Sequence, residues 1–114
     1  MNRPAKASRR SRALPDSAAM EQHAEEAAAL LKALAHPARL LVLCRLVEGE
    51  CSVSEFQPLV GLSMSALSQH LSVLRELDLV ATRRESQTIY YSLVEGPAVA
   101  VLDALYTAYC APER

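Results

Sequence analysis

Between Leu62 and Leu93 the apolar period changes from that of a helix to that of a strand, and few small folds accommodate that change. Ser63 is a good N-cap, and behind it Leu67, Leu71 and Leu74 recur at i, i+4 and i+7, one apolar face of a helix. The other face carries Ser65, Ser68, Gln69, Ser72 and Glu76. Those side chains are short, polar and nearly uncharged, so the helix can approach base-pair edges closely and exchange hydrogen bonds with them. A helix that merely faces solvent more often carries Glu and Lys there. After Asp78 the period becomes 2: Val80 and Thr82 lead into Arg83-Arg84-Glu85-Ser86-Gln87, and Thr88, Tyr90 and Ser92 alternate with Ile89, Tyr91 and Leu93. This is a hairpin with a basic, polar tip. A small-polar helix followed by a basic hairpin predicts a winged helix-turn-helix, its helix in the major groove and its wing along the DNA backbone.

The residues expected at double-stranded DNA follow from that geometry. Ser65, Ser68 and Gln69 face base edges, and Met64 suits a thymine methyl. Ser63 opens the helix, and Arg75, Arg83, Arg84 and Gln87 are expected on the backbone. His70 is part of the same surface, but beside Leu71 it also reads as a half-buried side chain that holds the turn.

Charge is divided along the chain. Net charge is −1, yet Arg3, Lys6, Arg9, Arg10 and Arg12 give the first fifteen residues +5 and leave −6 on the rest. Residues 1–15 lack any period and read as a disordered basic arm, either solvated or laid along DNA. An acidic body is unusual for a DNA-binding domain, and it requires basic groups to gather at the contact surface. With five aromatic residues and no Trp, the core must be built from Leu, Val and Ala on helices.

Residues 16–110 read as one domain, followed by a tail at 111–114. Asp16 or Ser17 caps a first helix to about Ala35, with Met20, Ala24, Ala27, Leu31 and Leu34 as its stripe. His36-Pro37 breaks it and starts a second helix to about Glu48. That helix is apolar nearly all round and is therefore expected to be buried, Cys44 with it. Ser52-Val-Ser-Glu55 is a capping box for a third helix, with Val53, Phe56 and Val60 inward. Gly61-Leu62 turns the chain into the reading helix. Gly96-Pro97 opens a last helix with Val94, Ala98, Val101, Leu102, Leu105 and Tyr109 as its apolar set, closed by Cys110. The fold class is mainly α with a β-hairpin wing, in the order α-α-α-α-β-β-α. Apolar surface on the first and last helices predicts a homodimer, whose two reading helices match an inverted-repeat operator.

Taken together and in order, Leu34-Ala-His-Pro-Ala-Arg39, Gly49-Glu-Cys-Ser-Val-Ser-Glu55, Leu67-Ser-Gln-His-Leu71, Val73-Leu-Arg75, Leu79-Val80 and Tyr90-Tyr-Ser-Leu93 resemble the ArsR/SmtB family of bacterial winged-helix repressors. The resemblance spans about residues 20 to 110 and implies a homodimer that leaves DNA when an inducer binds. Metal-sensing members carry Cys-Val-Cys at the opening of the third helix, where this chain has Ser52-Val53-Ser54, and serine hydroxyls are not soft ligands. Other members hold zinc between Asp and His residues of the last helix, which here has Asp103 and no His; His23, His36 and His70 all lie elsewhere. Val42-Leu-Cys-Arg-Leu-Val-Glu-Gly-Glu50 and Leu105-Tyr-Thr-Ala-Tyr-Cys-Ala111 are similar to the branch that senses sulfide and reactive sulfur species, the BigR/SqrR-type repressors. That likeness implies redox sensing by Cys44 and Cys110, joined by a disulfide or by a bridge with added sulfur, and gives Cys51 no role.

Alternatives remain at this level. A single Cys on an apolar helix is usually a small core residue. Cys44, Cys51 and Cys110 together suit As(III), Cd(II) or Zn(II) as thiolates, although no metal site is expected. A protein-interaction module that has lost DNA binding would suit the acidic body, but the reading face argues against it. Nothing in the chain resembles a phosphate loop, a catalytic carboxylate pair or a nucleophile motif, so neither an enzyme nor a cofactor is expected. No apolar run reaches the roughly 18 residues of a membrane span, and an odd number of cysteines suits a reducing cytoplasm.

Overall fold

The computed structural model describes residues 16–110. The expected arm at 1–15 and tail at 111–114 lie outside the described residues. Helices α1 (Ser17–Glu21), α2 (Ala24–Leu34) and α3 (Pro37–Val47) lead to strand β1 (Cys51–Ser52). Helices α4 (Val53–Val60) and α5 (Met64–Glu76) follow, then strands β2 (Val80–Glu85) and β3 (Thr88–Leu93), and last α6 (Pro97–Tyr109). This is the winged helix-turn-helix order, with two departures from expectation.

The expected first helix is two helices. Asp16 caps α1 by accepting the Ala18 N–H at 3.0 Å. The chain then tightens, Gln22 N–H donating to the Ala19 carbonyl and His23 N–H to that of Met20, before α2 begins. Glu25 and Glu26 occupy the first turn of α2, where carboxylates oppose the helix dipole. The expected stripe is only partly the buried face: Leu34 is buried and Ala27 half-buried, but Met20, Ala24 and Leu31 are exposed, and Ala33 and Leu30 face the core instead.

The second departure is β1, too short to show a period. Cys51 pairs with Tyr91 and Ser52 with Tyr90, giving a sheet in the order β1-β3-β2. The wing is thus anchored at its base by the segment that follows α3. Ser52 also opens α4, its N–H donating to Glu55 Oε1 at 2.9 Å as the capping box predicts. Bonds from the Ser52 backbone and then its hydroxyl hold the Glu55 carboxyl below the ordinary carboxylate range.

A residue before Pro is pushed out of the helical region, and His36 is extended while Pro37 takes the first position of α3. As a result α2 and α3 meet at 94°. One face of α3 is central: Ala38, Val42, Leu43 and Leu46 are buried against α4, α5, α6 and β3. Its other face is not buried as expected, and Leu41, Cys44 and Val47 are exposed. Val42, Leu43, Phe56, Leu67, Leu71 and Leu74 fill the core, and Phe56 meets the edge of Tyr91 at 6.2 Å between ring centres. Because Phe56 is fully buried, a large-to-small change there is costly, about 3–5 kcal/mol for Phe56→Ala.

Candidate DNA interface and thiol pair

The reading helix is aimed by its two ends. Gly61, at φ 68°, is left-handed and closes α4, a conformation that favours glycine. Gln57 Nε2 donates to the Leu62 carbonyl at 3.1 Å across the turn. Ser63 then caps α5, its Oγ accepting the Ala66 N–H at 3.1 Å, so this hydroxyl is committed to the helix end. Leu67, Leu71 and Leu74 anchor α5 in the core. Met64, Ser65, Ser68, Gln69 and Ser72 are exposed together on the far face, with Arg75 exposed in the last turn. His70 is half-buried and stacks on His36.

The two strands of the wing are joined by Ser86-Gln87, with Arg83 opposite Tyr90 and Arg84 opposite Ile89. Successive residues of a strand point to opposite faces, so Arg83 and Arg84 project apart. Arg84 and Gln87 are exposed near the tip. Among the described residues no carboxylate lies within ion-pair distance of Arg84. Arg83 is different. Its Nε donates to Glu50 Oε2 at 2.7 Å, its Nη2 to Glu50 Oε1 at 2.9 Å and its Nη1 to Glu85 Oε1 at 3.0 Å. Its guanidinium carbon lies 4.7 Å from the centre of the Tyr90 ring. The bonds to Glu50 and Glu85 raise the Arg83 pKa, and those from Arg83 lower that of Glu50. Glu50, which as a lone charge reads as solvated, therefore has a partner 33 positions away.

The three cysteines differ in setting. Cys51 is 0% exposed, inside the core and opposite Tyr91 in the sheet. Cys44 on α3 and Cys110 at the C-cap of α6 are both on the surface. Packing around Cys44 removes part of its water and pushes its thiol up, and the Cys110 charge pushes it further. The helices that carry these two thiols, α3 and α6, pack on one another. Cys44, expected to be buried, lies instead on the open face of α3. Among the described residues no group of three or more His, Cys, Asp or Glu side chains is placed to hold a metal.

Comparison with known proteins bears out the winged-helix fold. The family described as "Bacterial regulatory protein, arsR family" matches residues 36–82, which run from α3 into β2. A "Biofilm growth-associated repressor" of Agrobacterium fabrum is 50% identical over 96 residues, 84% of this chain and 82% of that protein. The crystal structure of the transcriptional repressor BigR from Xylella fastidiosa is 47% identical, with a TM-score of 0.79 over 86% of this chain and all of that one. Reduced HlyU from Vibrio cholerae is 44% identical, with a TM-score of 0.76 over 81% of this chain and 97% of that one.

Proposed function

The chain belongs to the ArsR family of bacterial regulatory proteins, and from that premise we propose a homodimeric repressor that releases its operator when reactive sulfur oxidises Cys44 and Cys110. It is a DNA-binding transcriptional repressor of winged helix-turn-helix fold. The observation that carries DNA reading is the exposed, uncharged face of Ser65, Ser68 and Gln69 on a helix whose other face is fixed in the core. Arg75, Arg84 and Gln87 are the proposed phosphate contacts, and Met64 meets a thymine methyl.

Apolar side chains outside the core support the homodimer. Met20 and Leu31 near the N-terminal end, and Tyr106 and Tyr109 on α6, are exposed, Tyr109 by 83%. A second copy covers such surface and sets two reading helices on an inverted repeat.

The thiol chemistry follows from the two surface sulfurs. Cys44 is held up and keeps its proton longer, so the first attack is assigned to Cys110 at the helix end. Its thiolate attacks a terminal sulfur of a polysulfide. One S–S bond forms, one breaks, and a polysulfide shortened by one sulfur leaves. The Cys44 thiolate then attacks Cys110 Sγ and expels hydrosulfide, leaving a disulfide between α3 and α6. The two thiols lose two electrons, which the polysulfide takes up. A further sulfur transfer before closure leaves a longer bridge. The bridged dimer favours a spacing of its reading helices that DNA does not fit.

A shared three-thiolate metal site fits less well, because Cys51 lies in the core while the other two sulfurs are on the surface. The proposed setting is the reducing cytoplasm, where the dithiol is the resting state. Operator-bound protein treated with polysulfide tests the reading. Release of DNA together with loss of both surface thiols supports it, and continued binding by fully oxidised protein contradicts it.

A further inference from the structure

Three observations converge on the base of the wing. Glu50 meets Arg83 side-on through both carboxylate oxygens, at 2.7 and 2.9 Å. Glu85 takes the remaining Nη1 at 3.0 Å. Tyr90, opposite Arg83 on β3, lies against the guanidinium at 4.7 Å. Each nitrogen of the group has a carboxylate partner and its plane is occupied. An isolated surface ion pair contributes little, but a two-pronged Arg–carboxylate fork reinforced by a second acid and an aromatic ring is the kind that fixes geometry.

The two partners are far apart in sequence and serve different elements. Glu50 immediately precedes β1, in the link that leaves α3, whereas Arg83 is mid-way along β2. Between them runs β3, hydrogen-bonded to both strands. The fork therefore crosses the outer face of the sheet and ties one edge strand to the segment beside the other. The fork closes at the last rung that β1 reaches, since Ser52 and Arg83 both pair with Tyr90, and so it stiffens the point from which the outer half of the hairpin extends.

We propose that Glu50 and Arg83 are positioning residues for DNA binding: their fork sets the angle of the wing, and the wing's cationic phosphate contact is Arg84. This rests on the DNA-binding reading and reassigns one residue within it. A phosphate contact by Arg83 would require the fork to open, exchanging three charge-assisted bonds for one partner. Arg84, on the opposite face and nearer the tip, reaches a phosphate without that exchange.

Salt dependence separates the two roles, because each phosphate contact contributes about 0.9 to the slope of log K against log[salt]. Arg83→Ala and Glu50→Gln are each expected to weaken operator binding about three- to tenfold with the slope unchanged, and the double variant to be no worse than either. Arg84→Ala is expected to flatten the slope by about 0.9. A flattened slope in Arg83→Ala, or tighter binding with a steeper slope in Glu50→Gln, overturns the proposal: Arg83 is then a phosphate contact for which Glu50 competes. Unchanged binding in both single variants overturns it as well. Amide exchange in the DNA-free protein gives a second reading that does not require the operator. Glu50→Gln should speed exchange at the β2 and β3 amides from Arg84 to Ile89 while the α5 amides keep their protection. Equal exchange in the two proteins rejects the fork as an anchor even if no DNA binding is found.

Discussion

His70 on the reading helix stacks on His36, the residue that caps α3, with ring centres 4.2 Å apart and planes tilted by 50°. His36 Nδ1 accepts the Ala38 N–H at 3.2 Å, so the neutral ring carries its proton on Nε2. The pair joins the start of α3 to the middle of α5 at the side of the reading face. His70 is held below the usual histidine range, first by loss of water and then by His36 and Arg39. The folded state therefore binds this proton less readily than the unfolded chain. Its contribution to stability is present above the unfolded pKa, near 6.5, and is lost as pH falls from there toward the lower folded value. Melting temperature should fall between about pH 7 and pH 5, and His70→Gln should reduce that dependence. Equal pH profiles for the two proteins would show that the stacked pair does not resist the proton.

The reading face gives a sequence-specific expectation. Gln69→Ala should weaken operator binding by about 1–3 kcal/mol if the amide grips one base through two hydrogen bonds. Binding to unrelated DNA should hardly change, because that affinity comes from the phosphates. A mobility-shift titration in which the Ser68→Ala/Gln69→Ala double variant keeps full operator preference would remove this face from the base edges.

What the sequence made legible was local. Leu67, Leu71 and Leu74 announce α5 because a helix repeats its face within eleven residues, and the Ser52–Glu55 box needs three positions. The Ser65, Ser68 and Gln69 face was legible for the same reason, since what the core excludes is exposed. Features that depend on distant partners were not. Two residues cannot show an alternation, so Ser52 reads only as a cap and Cys51–Ser52 does not read as a strand. Glu50 and Arg83 have no pattern linking them across 33 positions. An Ala-rich run hides the break at Gln22-His23, because none of its residues forbids a helix there. Cys44 was misjudged as buried because α3 is apolar on both sides, and periodicity does not say which side the neighbours cover.

The turn of the wing offers a gain in stability. Ser86 sits at φ 57°, where an L side chain costs roughly 1 kcal/mol or more and glycine does not. Ser86→Gly should remove that cost and stabilise the protein by up to about 1 kcal/mol, read as a higher denaturant midpoint. A serine hydroxyl carries no charge to displace counterions, so the salt slope of DNA binding should stay the same. A lower midpoint would mean that the serine hydroxyl contributes more to the turn than its backbone angle costs.

The switch itself is tested by its cysteines one at a time. Cys44→Ser and Cys110→Ser should each bind operator when reduced, because both side chains lie on the surface and neither belongs to α5 or the wing. Neither can close a bridge within one subunit, so neither should release DNA on polysulfide treatment. A hundredfold loss of affinity requires the bridge to favour the non-binding arrangement by about 2.7 kcal/mol, which one covalent tie per subunit can supply. Cys51→Ser should release DNA like the parent protein, since its sulfur is sealed in the core. It should also unfold more readily, because a hydroxyl takes the place of an apolar thiol there, at a cost of about 1–3 kcal/mol. Intact-mass measurement of the treated parent should find an internal Cys44–Cys110 link with zero or more added sulfurs, absent from both surface variants. Normal release by Cys44→Ser would reject the two-cysteine switch. A sulfur-to-metal charge-transfer band on titrating the reduced parent with Cd(II), lost in each surface variant, would then assign the same two thiols to a metal.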